Sequence, residues 1–109
     1  MSRPAFASDV TRERFELVRE RLEHARRKTR PRLHDLYDIF CAIQYLLHHQ
    51  CSWRSLPPEF PRWRTVHEYF TQWSLKLGDG RSLLEAALET VGDELGLENL
   101  KKMPARQHR

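Results

Sequence analysis

No stretch of the chain approaches the ~20 consecutive apolar residues needed to cross a bilayer, and the opening residues, Met1 to Ser8, lack the apolar core of a secretory signal. The cytoplasm is the expected compartment. Cysteine is scarce: Cys41 and Cys51 are too few for the dense disulfide framework of a small secreted scaffold, so reduced, buried thiols are the simpler reading. There is no internal repeat, no low-complexity tract and no strand-like alternation of apolar and polar residues. Metal-ligand spacing is missing too. His48 and His49 point about 100° apart on a helix, and no Cys-x-x-Cys or His-x-x-x-His joins them with Cys41 and Cys51 in a tetrahedral set. A Cys/His nucleophile has no oxyanion hole beside it. Neither a metal, a cofactor, a catalytic group, a small-molecule substrate nor a membrane is expected.

What the chain does have is charge, and its distribution is uneven. The 109 residues are 39% hydrophobic and 31% charged, enough for one domain with a modest core. Residues 1–32 carry a cationic excess of +5, residues 33–78 are balanced, and residues 79–109 stand at −1, giving the net +4. Fifteen of the nineteen cations are arginine, whose planar fork suits phosphate oxygens and guanine edges. Nucleic acid is the natural partner, although a GC-rich genome enriches arginine with no function attached.

Apolar spacing divides the chain into helices. Phe15, Val18, Leu22 and Ala25 form one stripe of a helix from Thr11, its N-cap, to Arg27, with Val10 placed to pack on Phe15. Its charges read as a solvated face with pairs such as Arg12–Glu16 and Glu23–Arg27. Arg26, Arg27, Lys28, Arg30 and Arg32 follow without an acid among them, and Pro31 makes this an extended arm. Such an arm suits a phosphate backbone or minor groove, or is an ordinary linker. The second helix, Leu33 to His49, is apolar over most of its surface and should be central to the core; Asp35 and Asp38 suit the positive end of its dipole. One short helical turn fits between Ser52 and the Pro57-Pro58 pair. Thr65 with Glu68 reads as a capping box opening a third helix, on which Val66, Phe70, Trp73 and Leu77 form the buried stripe. Trp53, Trp63 and Trp73 read as core before base-stacking platforms. Gly78-Asp79-Gly80 breaks the chain, Ser82 with Glu85 caps a last helix through Leu84, Leu88, Val91 and Leu95, and Gly96 is placed to stop it.

The expected architecture is therefore all-α, a small bundle of four to five helices with a helix-turn-helix-like unit. Residues 1–9 form a flexible start, 10–97 a single helical DNA-binding domain, and 98–109 a weakly ordered basic tail. On this plan the third helix enters the major groove with His67, Thr71 and Gln72 toward bases, while Arg62 and Arg64 hold phosphates. Glu68 is set aside, because the capping box already engages it and a carboxylate repels phosphate.

Several strings carry a further likeness: Val10-Thr11-Arg12-Glu13-Arg14-Phe15, Arg30-Pro31-Arg32, DIFCAIQYLL from Asp38, CSWRSLP from Cys51, and FPRWRTVHEYFTQWS from Phe60. Over about residues 10–78 the chain resembles the N-terminal helical domain of bacterial insertion-sequence transposases of the insertion-sequence-five type. That resemblance implies recognition of terminal inverted repeats in double-stranded DNA. In the family a ribonuclease-H-like domain with three catalytic carboxylates follows, and the chain ends before it would begin, so a non-catalytic role is expected, with a homodimer or a separately encoded catalytic chain as further partners. Association with the nucleoid would follow. Gln50 and Thr29 stand where the family usually has Gly, and Phe15 where it usually has Trp. A helical protein-interaction module, with Leu75 and the last helix as its surface, is the alternative; salt-sensitive binding separates the two.

Overall fold

A computed structural model describes residues 8–24, 35–75 and 80–102. Among them lie five α-helices and one 3₁₀ turn, and no β-strand: α1 (Arg12–His24), α2 (Leu36–His49), the turn Trp53–Ser55, α3 (Trp63–Trp73), α4 (Leu83–Val91) and α5 (Glu94–Lys102). The expected all-α class and the helix count hold.

α1 is stitched down by three residues of the expected stripe; the fourth, Ala25, and the expected end at Arg27 lie outside the described residues. Phe15, Val18 and Leu22 are at most 1% exposed, and the Thr11 hydroxyl accepts from the Arg14 amide at 3.2 Å as the cap requires. Its outer charges are solvated, and the expected Arg12–Glu16 pair is replaced by other partners, while Arg27 of the Glu23–Arg27 pair lies outside the described residues. Arg19 bridges Glu16 and Glu23, both at 2.9 Å, and the hydrogen bond and charge of Glu16 hold its guanidinium above its ordinary range. Arg12 turns to Asp35 at 3.1 Å and covers the Tyr37 ring at 4.2 Å. Arg14 donates to the Val91 carbonyl at 2.7 Å, placing a cation on the negative end of α4.

α2 is the axis of the core, packed against α1, α3 and α5. Nine of its fourteen residues are buried, and at about 1.5–3 kcal/mol for each large apolar side chain this helix dominates the hydrophobic stabilisation. Asp35 is its N-cap rather than part of its first turn, accepting from the Tyr37 amide at 3.0 Å; residues 33 and 34, the expected start, lie outside the described residues. Its C-cap is Gln50, at φ 51° and ψ 41°, with its amide on the Leu46 carbonyl at 2.7 Å. It is the one residue other than glycine with positive φ among those described.

One polar chain crosses this core. Gln44, 2% exposed, accepts from the Val10 amide at 3.1 Å and donates to Asp93 Oδ2 at 2.8 Å. Asp93 Oδ1 meets His48 Nε2 at 2.8 Å and accepts from the Gly96 amide at 3.0 Å, so the same carboxylate caps α5. The Tyr37 hydroxyl donates to the Val10 carbonyl at 2.6 Å, and Asn99 Nδ2 donates to the Leu47 carbonyl at 2.7 Å. The polar groups linked in this network thus meet partners, which spares the 1–3 kcal/mol an orphan would cost.

Three boundaries differ from the sequence reading. The last expected helix is two: α4 stops at Gly92 (φ 81°), and Asp93 opens α5, which carries the chain to Lys102 with Asn99 buried and Leu97 and Leu100 against the core. Gly96 therefore lies inside a helix, and the region from Glu98 to Lys102 is a packed element instead of a weak tail; residues 103–109 lie outside the described residues. At the other end Ser8 is already 7% exposed, so the packed region begins before Val10, while residues 1–7 lie outside the description. Third, α3 begins at Trp63, so Thr65 is inside its first turn and the expected Thr65–Glu68 capping box is absent. The Ser82–Glu85 box is present in full, with bonds of 3.1 Å and 3.0 Å.

Candidate nucleic-acid interface

The approach to α3 is set by a run of tight turns. The Ser52 carbonyl accepts from Ser55 at 3.0 Å, the Trp53 carbonyl from Leu56 at 3.2 Å, and the Pro57 carbonyl from Phe60 at 3.1 Å. Phe60 is buried at 5% and meets Tyr45 at 5.7 Å, which anchors the loop to α2. Pro61 and the extended Arg62 then lead into the helix, the Arg62 carbonyl accepting from Val66 at 3.1 Å. No side chain caps this N-terminus, and its first turn holds no acid.

α3 buries Val66, Tyr69, Phe70 and Trp73 and turns its other face outward. Arg64, Glu68 and Thr71, spaced by four and three, form an exposed stripe with Gln72 beside it, and Arg62 is exposed at the N-cap. The structure thus brings Arg62, Arg64, Thr71 and Gln72 of the sequence-predicted set onto the outer side of one short helix. Glu68, excluded because a capping box would engage it, has no such box and stands exposed in the middle of that stripe.

His67 is placed otherwise. Its ring is half-buried, in T-shaped contact with Trp53 at 4.8 Å and with Trp63 at 6.4 Å, so it wedges two tryptophans instead of leading the outer face. Of the three tryptophans only Trp73 is core, at 0% exposure. Trp53 is half-buried against Phe70 at 5.2 Å. Trp63 is half-buried at the start of α3, with the guanidinium carbons of Arg54 and Arg64 at 5.3 Å and 5.2 Å from its ring centre. Arg54 was missed by the sequence reading. Its place beside Trp63, nine positions on, depends on how the 3₁₀ turn folds against α3, and only the Arg-rich wording of CSWRSLP and PRWR hinted at it.

Arg26, Arg27, Lys28, Arg30 and Arg32 lie outside the described residues. Elsewhere the chemistry is sparse. Among the described residues no group of three or more His, Cys, Asp or Glu is arranged to hold a metal ion, and no helix is long and apolar enough to cross a membrane. Cys41 is fully buried and Cys51 partly so. A pocket of about 210 Å³ opens between Ile43, Leu46, Leu47, Gln50, Cys51, Trp53, Phe70 and Asn99. It is smaller than the 300–1,000 Å³ usual for ligand sites, and the Asn99 amide in its wall is already committed to Leu47.

No curated protein and no solved structure matches the chain. A family model described as "Putative transposase of IS4/5 family (DUF4096)" matches residues 10–77, more than half of the sequence, and the chain belongs to that family.

Proposed function

We propose that this domain binds double-stranded DNA through the outer side of α3 and the arginines at its start, serving a transposase-related role as a recognition module with no chemistry of its own. The observation that carries the reading is the convergence of Arg54, Arg62 and Arg64 on the uncapped N-terminus of α3, ahead of the exposed Thr71 and Gln72. Cations and free helix amides attract phosphate, and the short polar side chains beyond them are of the kind that reach base edges. α2, the 3₁₀ turn and α3 serve as a helix-turn-helix variant with a long connection. The basic run from Arg26 to Arg32 adds phosphate contacts, the duplex recognised is the terminal inverted repeat of an insertion sequence, and in the cell the protein sits with the nucleoid.

Affinity for labelled duplexes, followed from 50 to 200 mM salt, tests this. Each arginine–phosphate contact contributes about 0.9 to the slope of log affinity against log salt, so replacing Arg54, Arg62 and Arg64 together by Ala lowers the slope by about 2.7. Gln72→Ala relaxes sequence preference in a selection from random duplexes and leaves the slope alone. Failure of the purified protein to bind any duplex at 50 mM salt refutes the reading.

One observation favours a second role for the same domain. Leu75 and Leu17 are 61% and 62% exposed, apolar surface suited to a second copy or a catalytic partner chain. Light scattering of the native protein beside Leu75→Ser decides the first of these: equal masses at the monomer value dismiss a second copy.

A further inference from the structure

The exposed arginines around α3 are not held alike. Arg62 stands at the N-cap, whereas Arg54 and Arg64 share one aromatic ring, their guanidinium carbons 5.3 Å and 5.2 Å from the centre of the Trp63 indole. The two come from different elements, the 3₁₀ turn and the first turn of α3, and the ring is the feature they have in common. The indole is itself braced from the core. Buried Phe70 meets Trp53 at 5.2 Å, Trp53 meets His67 at 4.8 Å, and His67 meets Trp63 at 6.4 Å, a ladder of rings ending in two cations.

Two positive groups beside one ring repel each other. Attraction to the π face offsets that repulsion at exposed sites, and neutralisation by anions removes it. A guanidinium held over a ring keeps its N–H edge available for bidentate bonds to phosphate oxygens, and it has surrendered its rotamer freedom before the ligand arrives. A long, unrestrained arginine gives up that freedom on binding, which weakens association.

We propose that Trp63 is a positioning residue that pre-sets Arg54 and Arg64 as a two-pronged clamp for neighbouring phosphodiesters of one DNA strand; this rests on the duplex-binding reading above. Trp63 acts through the two arginines and makes no stacking contact with a base.

The test is duplex affinity by fluorescence anisotropy at 50 to 200 mM salt for the native protein, Trp63→Leu, Trp63→Phe, the Arg54→Ala/Arg64→Ala pair, and that pair combined with Trp63→Leu. Melting curves accompany each, and Trp63→Ala replaces Trp63→Leu should the latter not fold. Loss of the indole weakens binding about tenfold or more, because two side chains must be ordered anew, while the salt slope is unchanged since both cations remain. Trp63→Phe, which keeps an aromatic face, recovers most of the loss. The arginine pair lowers the slope by about 1.8, and adding Trp63→Leu to it has no further effect. The clamp is overturned if Trp63→Leu binds as the native protein does, or if it weakens the arginine-free variant as much as the native one, which would mean direct contact with DNA. Should the native protein bind no duplex, the functional reading itself fails and the clamp with it.

Discussion

Gln50 closes α2 in a left-handed conformation that glycine adopts freely and a side chain resists. At φ 51° the Cβ crowds the following carbonyl, a strain of roughly 1–2 kcal/mol for an L-residue. Gln50→Gly removes it. The substitution also loosens the unfolded chain, which takes back about 0.4–1 kcal/mol. Gln50 is exposed and its side chain makes no cap bond, the cap being formed by its own amide to Leu46, which Gly retains. The net expectation is a gain of about 0.5–1 kcal/mol, or a rise in Tm of roughly 2–8 °C for a domain of this size. Urea unfolding followed by circular dichroism should show a higher midpoint with an unchanged m-value. Gln50→Ala is the control: it keeps the Cβ and therefore the strain, and should give no gain. A glycine variant no more stable than the alanine variant would refute the argument, because it would show that the left-handed backbone is not what separates them.

Two further predictions concern the polar chain through the core. Asp93→Ala removes the α5 cap and leaves the buried Gln44 amide and the His48 ring without their acceptor, a loss of about 2–4 kcal/mol in urea unfolding; a loss below about 1 kcal/mol would mean water replaces the carboxylate at no penalty. Gly96→Ala should gain about 1 kcal/mol from helix propensity, yet its Cβ would fall 2.5 Å from Asp93 Oδ2, so a net loss of about 1–2 kcal/mol is expected. In the Asp93→Ala background the same change should turn stabilising, and a melt showing equal effects in both backgrounds would rule out the clash.

The candidate site was partly legible. Arg62, Arg64, Thr71 and Gln72 could be assigned to the outer side of α3 because Val66, Phe70 and Trp73 mark its inner face at helical spacing. His67 was expected toward bases but is wedged between tryptophans, since its partner Trp53 lies on another element and spacing along one helix says nothing of a ring arriving from outside. Arg54 escaped for the same reason. Glu68 was set aside on the strength of a capping box, and a Thr-x-x-Glu string is only a cap where the helix starts at that Thr. Here the turn at Pro57–Phe60 and the extended Arg62, which is the N-cap, start it three residues earlier.

By itself the chain's pattern of apolar residues determined the class, the four amphipathic stripes and the central place of α2, because burial of a 3.6-residue stripe is a local property repeated along the sequence. It also marked the Thr11 and Ser82 caps, which close within one turn, whereas the left-handed backbone at Gln50 is read from the structure. Tertiary structure decided where the last helix divides. The sequence reading put the stop at Gly96 because Leu95 continues the stripe, yet Leu95 is 49% exposed. The break falls at Gly92 because Asp93 is held there by Gln44 and His48 of α2, forty-nine and forty-five residues away, and a bond across that distance exists only once the helices have packed.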